Sequence, residues 1–104
     1  MAQQFSKVVA IMDILDFKSI QSEMKKLDLP GVSVSTVQGF GDYHNAYSDC
    51  GFSEGMKIEI YTTYEHAQSI AQVLSQLAND MTEGGGMVAI EPVSELYNVK
   101  KLNT

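Results

Sequence analysis

The chain has a single cysteine, Cys50, among its 104 residues. No disulfide can form within it, and a reducing compartment is the default, so the cytoplasm is the expected location. Basic residues are also scarce: seven Lys and Arg stand against thirteen Asp and Glu, giving a formal charge of −6. That balance repels a phosphate backbone, and the pairs Lys25-Lys26 and Lys100-Lys101 are too small to line a groove, so nucleic acid is not expected as a partner. No run approaches the roughly 18 apolar residues that span a bilayer, so membrane insertion is not expected. The opening residues lead into a strand pattern and do not read as a signal peptide. A Walker loop, a Gly-x-Ser-x-Gly elbow and a Ser/His/Asp constellation are all missing, so the chain is not expected to be an enzyme and no catalytic residue is assigned.

What remains is ordinary globular material: 44% hydrophobic and 19% charged residues, enough for one core and one domain over residues 1–104. Val8 to Met12 form a short apolar run rich in β-branched residues, bounded by Asp13, as expected of a central strand. Phe17, Ile20, Met24 and Leu27 recur at helical spacing from an N-cap near Asp16, and Pro30-Gly31 ends that helix. Residues 32–37 alternate apolar and hydroxylated side chains, and Met56, Ile58 and Ile60 share one face of a further strand. Ala67, Ile70, Ala71, Leu74, Leu77, Ala78 and Met81 draw the stripe of a second helix opposite Gln68, Ser69, Gln72, Ser75 and Gln76. His66 falls at the start of that helix, as a surface residue. Residues 87–90 read as a last strand whose far end, at Glu91-Pro92, lies on an edge or leaves the sheet, and residues 93–99 are a candidate extra strand.

The order β-α-β-β-α-β predicts an α+β, ferredoxin-like sandwich: a four-stranded antiparallel sheet with two helices on one face. The other face then needs cover, and self-association would provide it.

Two stretches could carry chemistry. Gly84-Gly85-Gly86 follows a helix C-terminus, where the dipole is negative, so any phosphate there would depend on backbone nests and on cations from elsewhere. Taken alone, it reads first as a helix stop. Residues 42–55 lack periodicity and hold Asp42, Tyr43, His44, Tyr47, Asp49, Cys50 and Glu54. Tyr43 and Tyr47 suit partner contact. His44, Cys50 and the carboxylates are the side-chain types that bind zinc or copper, although their spacing matches no established metal motif.

Four motifs in this order resemble the PII signal-transduction family: Gly31-Val32-Ser33-Val34, Val37-Gln38-Gly39-Phe40-Gly41, Met56-Lys57-Ile58-Glu59 and Gly84-Gly85-Gly86-Met87-Val88. The resemblance implies a homotrimer of ferredoxin-like subunits with three intersubunit clefts for an adenine nucleotide. It also implies a mobile T-loop that docks on a transporter, enzyme or regulator. Carried onto this chain, the T-loop is residues 42–55 and the B-loop residues 82–86. The implied ligand-binding residues are Ser33, Gly39, Phe40, Gly41, Lys57, Gly84, Gly85, Gly86 and Lys100, and the implied partner-binding residues are Asp42, Tyr43, His44, Tyr47 and Cys50.

The departures from the family pattern are mostly lost cations. Asp42-Tyr43-His44-Asn45 stands where typical members have Arg-Gln-Lys-Gly, so Tyr43 replaces the glutamine that helps hold magnesium, ATP and 2-oxoglutarate. Gly55 replaces the first lysine of Lys-Val-Lys, Met87 the B-loop lysine, and Asn98-Val99-Lys100 the late Arg-x-Arg. The uridylylation segment is absent and the loop is shorter. Each lost cation removes a charge-assisted hydrogen bond worth about 1.5–3 kcal/mol, and several together would weaken triphosphate binding by roughly three factors of ten. The resemblance therefore implies a divergent PII-like regulator with a different or weaker effector, an adenine nucleotide or a bicarbonate-type ligand, and no required cofactor. The alternative is a metal-responsive trimer, CutA-like or linked to heavy-metal efflux, that binds copper or zinc through His44, Cys50 and nearby carboxylates. A small isomerase or monooxygenase of the same fold ranks last.

Overall fold

A computed structural model of the chain describes residues 4–13, 17–39, 53–81 and 86–99. The elements are β1 (Phe5–Asp13), α1 (Phe17–Lys25), β2 (Ser33–Gly39), β3 (Ser53–Thr63), α2 (Tyr64–Met81) and β4 (Gly86–Val93). The strands form one antiparallel sheet in the order β2-β3-β1-β4, the β-α-β-β-α-β sandwich that the hydrophobic pattern predicts.

Strand alternation divides the sheet into two chemically distinct faces. Val8, Ala10 and Met12 of β1 and Met56, Ile58 and Ile60 of β3 are buried on the helix-covered face. They meet Ala67, Ile70, Leu74 and Ala78 of α2, and Met24 carries α1 into the same core. The stripe read from the sequence is thus the packed face of α2, and Gln68, Ser69, Gln72, Ser75 and Gln76 lie opposite it, mostly exposed.

The ends of the helices show why they begin and stop where they do. The Tyr64 amide donates to Gln4 O at 2.9 Å, so one of the orphan donors of the α2 N-terminus is satisfied by the residue that precedes β1. Thr63 Oγ1 lies 2.8 Å from His66 Nδ1, which ties the turn before α2 to its first turn. His66 itself is exposed, as expected. In α1 the amides of Lys26 and Leu27 reach Glu23 O and Met24 O, both at 3.1 Å. These i→i−3 bonds tighten the final turn, and the helix ends at Lys25, ahead of the Pro30-Gly31 stop read from the sequence.

Near the expected loops and tail, three further differences from the sequence reading stand out. β3 begins at Ser53, so residues 53–55 of the expected T-loop are strand, held in register by Gly39, Gln38 and Val37 of β2. β4 begins at Gly86, so the last residue of the expected B-loop is also strand. The expected extra strand over 93–99 is not formed: β4 ends at Val93, opposite Phe5, the first residue of β1, and beyond it the ladder has no partner. Pro92 is accommodated because β4 is an edge strand.

Candidate functional site

The face of the sheet away from the helices is built in cross-strand rows. Ser33, Glu59, Val9 and Ala89 form one row, and Ser35, Lys57, Ile11 and Met87 the next. Val37, Gly55 and Asp13 form the third. Two expected ligand-binding side chains, Ser33 and Lys57, therefore share this face, with Gly39 at the end of β2. Ser33 is exposed, and Lys57 and Gly39 are half-buried.

All four strands bring their loop-connected ends to the same side. Gly39 ends β2 opposite Ser53, Asp13 ends β1 opposite Gly55, and Gly86 opens β4 opposite Met12. The segments that join these ends, residues 14–16, 40–52 and 82–85, lie outside the described residues. With them lie Phe40, Gly41, Asp42, Tyr43, His44, Tyr47, Cys50, Gly84, Gly85 and Lys100. Among the described residues no three His, Cys, Asp or Glu side chains come together as a metal cluster.

Gly39 and Gly86, the described glycines of the two implied cleft motifs, sit on opposite edges of the sheet. Their strands are three spacings apart in the order β2-β3-β1-β4, about 14 Å at 4.7–4.9 Å per step. Within one protomer, then, they do not line a single pocket.

Gly86 has a structural role that its sequence context hides. A Cβ at this position would collide with Ile11 O and lie 3.1 Å from both Cα and Cβ of Met12. Only a residue without a side chain lets β4 approach β1 here, so this glycine serves strand packing.

Electrostatics on the open face centre on Lys7. Its Nζ lies 3.2 Å from Glu59 Oε2 and 3.3 Å from Glu91 Oε2, and 5.9 Å from the centroid of the Tyr61 ring. Hydrogen bonding to Glu59, then to Glu91, holds the Lys7 ammonium above its ordinary pKa of 10.5. This one cation links β3, β1 and β4. Lys57 makes no ion pair among the described residues.

Asp13 is the residue that sequence reasoning missed. It is only 2% exposed, and neither carboxylate oxygen has a hydrogen-bond partner among the described residues. A buried carboxylate without a partner costs several kcal/mol in general, and such orphans call for an explanation. In the sequence Asp13 reads only as the polar end of a strand. No periodic signal in the sequence marks it as buried.

Two hollows lie elsewhere. One, of about 570 Å³, runs between α2 and β4, bordered by Gln68, Gln72, Gln76, Val88 and Ile90. The other, of about 310 Å³, sits under the α1–β2 connection beside Asp28, Thr62 and His66. Neither contains an expected site residue. No helix among the described residues is long and apolar enough to cross a membrane.

Comparison with known proteins agrees with this architecture. The solved structure of Arabidopsis thaliana PII bound to citrate superposes with a TM-score of 0.71 at 28% identity, over 93% of this chain and 84% of that one. The B. subtilis GlnK–ATP complex superposes with a TM-score of 0.70 at 19% identity, over 94% and 91%. A DUF3240 family protein from Shewanella baltica shares the fold, with a TM-score of 0.68 at 18% identity, over 94% and 98%. In sequence, the chain is 28% identical to a nitrogen regulatory protein P-II homolog of Arabidopsis thaliana, matching 93% of this chain but only 54% of that relative's length. It is 23% identical to the P-II protein of Cyanidium caldarium, over 92% of this chain and 91% of the relative. The family model for nitrogen regulatory protein P-II matches residues 5–102. With nearly its whole length matched and its fold shared, the chain belongs to the P-II family of regulatory proteins, as a divergent member.

Proposed function

We propose that this chain is a non-catalytic regulator that assembles as a homotrimer and binds a small effector in the clefts between subunits. The observation that carries this reading is the placement of Gly39 and Gly86 on opposite edges of one sheet. A cleft walled by both motifs requires the β2 edge of one protomer to meet the β4 edge of another. The open face, with Lys7, Glu59 and Lys57 among its side chains, is the surface that such an assembly would cover. An adenine nucleotide is the first effector to test, since one neighbour is a complex with ATP. A small carboxylate is the second, since another is bound to citrate. Within the cleft Ser33, Gly39 and Lys57 would contact the ligand from one side. Phe40, Gly41, Gly84, Gly85, Gly86 and Lys100 complete the proposed set.

The expected partner-binding segment is residues 42–55, shortened to 42–52 by the start of β3. Tyr43 and Tyr47 would be its contact residues, and a membrane transporter is the kind of partner proposed, with the regulator itself in the cytoplasm. Isothermal titration of the full chain with AMP, ADP, ATP, citrate and bicarbonate tests the effector reading. Saturable heat with at least one of them, lost in Lys57→Ala, supports it. No heat with any of them, from a protein that light scattering finds monomeric, overturns it.

A further inference from the structure

We propose that the hollow under the α1–β2 connection is a second ligand site, built for a small amino alcohol: an alkylammonium ion with a hydroxyl at its other end. The hollow lies on the helix-covered side of the sheet, whereas Ser33 and Lys57 of the proposed effector cleft stand on the open face. Its volume of about 310 Å³ lies between two stretches far apart in sequence. Asp28 and Pro30 of the connection form one side, and Thr62, His66, Ser69 and Ile70 of the β3–α2 junction form the other. That size is at the small end of the range for ligand pockets.

Thr62 is the residue that points to a ligand. It shares the core-facing side of β3 with Ile58 and Ile60 and is only 8% exposed. Its hydroxyl makes no hydrogen bond among the described residues. Nor is its Oγ1 one of the fully occluded polar atoms, so the hydroxyl opens on the hollow that the residue lines. A polar group set this deep and left unbonded calls for a partner from outside the chain.

The remaining polar groups fix the character of that partner. Asp28 is exposed and makes no ion pair among the described residues, and its carboxylate only accepts. Ser69 Oγ already donates to His66 O at 3.0 Å, so its remaining capacity is as an acceptor. His66 Nδ1 is engaged 2.8 Å from Thr63 Oγ1, which leaves Nε2 facing outward from that contact. Among the described residues no lysine or arginine lines the hollow. A surplus of acceptors, one negative charge and no cation favour a donor-rich, positively charged ligand and disfavour phosphates and carboxylates. The two ends of the ligand are also distinguished. The positive end of the α2 dipole lies beside His66, so the ammonium belongs at Asp28 and the uncharged hydroxyl at Thr62. Pro30 and Ile70 offer apolar walls to the methylenes. A formal charge of −6 raises the local concentration of such cations.

The test follows the amide resonances of the isotopically labelled full-length chain at physiological salt, which suppresses diffuse attraction between charges. Three probes of one length are titrated: aminobutanol, its charge-free analogue butanediol, and its hydroxyl-free analogue butylammonium. The proposal expects saturable shifts centred on Thr62, His66 and Ser69 with aminobutanol, and binding at least fivefold weaker for each analogue. Asp28→Asn should abolish the preference over butanediol, and Thr62→Val the preference over butylammonium. Shifts that grow without saturating, or that centre on Glu54, Glu91 and Glu95, overturn the site, as do variants that keep both preferences. Saturable shifts at the same amides with citrate overturn the charge assignment. Asp28 is exposed, so Asp28→Asn decides the matter should Thr62→Val not fold. The hollow shares no residue with the proposed cleft, so failure here leaves the effector reading standing, and failure of that reading leaves this one.

Discussion

Replacing Gly86 with alanine tests whether strand packing requires a glycine at this position. The added Cβ would collide with Ile11 O and lie 3.1 Å from both Cα and Cβ of Met12. Carbon–carbon contacts are most favourable near 3.5–4.0 Å, and the atoms in the way are mainly backbone, which cannot rotate aside. The edge strand must move off β1 by several tenths of an ångström, or the Met12–Gly86 end of the ladder must open. Overpacking of this kind costs about 1–3 kcal/mol, and because the position ends its strand, a value of about 2 kcal/mol is expected. With a urea m-value of about 1.5 kcal/mol/M for a domain of this size, the midpoint should fall by about 1.3 M. Gly31 is the matched control: a Cβ added there would meet nothing within 4 Å, and its φ is not in the left-handed region. Gly31→Ala should leave the midpoint unchanged or raise it slightly through the unfolded state. Both variants are compared with wild type at one protomer concentration, since assembly contributes to apparent stability. A Gly86→Ala midpoint equal to that of wild type would refute the packing argument.

Three further outcomes follow from the same geometry. Leu74 is fully buried at the centre of the α2 stripe, so Leu74→Ala should cost about 2–5 kcal/mol in urea unfolding, with the m-value unchanged. Lys7 has a raised folded-state pKa, so its contribution is complete below the ordinary value of 10.5 and disappears as pH climbs through the folded value. Wild type should therefore lose thermal stability more steeply than Lys7→Met across the alkaline range, and parallel curves would contradict the ion-pair assignment. Neither Asp13 carboxylate oxygen has a hydrogen-bond partner among the described residues, so Asp13→Asn should melt no lower than wild type, and a lower melting temperature would contradict the assignment.

Most of the fold could be read from side-chain periodicity because the core is contributed by residues that repeat. Met56, Ile58 and Ile60 mark one face of β3, and the stripe from Ala67 to Ala78 marks α2. The boundaries that shifted lie where local preference is weak. Ser53, Glu54 and Gly55 have poor strand propensity and are strand because β2 pairs with them. Gly86 is strand because Met12 lies opposite. The candidate site was only partly legible for a related reason. Lys57 and Ser33 could be named from motifs, and the sheet places both on one face. Asp13 could not be named, since neither motif nor periodicity marks it as buried. The separation of Gly39 from Gly86 is likewise a property of strand order, which no local motif encodes.

That separation underlies the central claim, that the two glycine motifs form a cleft only between copies of the chain. Native mass spectrometry of the full chain with ADP and Mg²⁺ tests it most directly, because assembly and ligand count are read together. The account predicts a species of three 11.4 kDa chains carrying up to three nucleotides, with no nucleotide on any monomer that dissociates before ionisation. A monomer that binds nucleotide as well as the assembly does, or a chain that neither assembles nor binds, would contradict it.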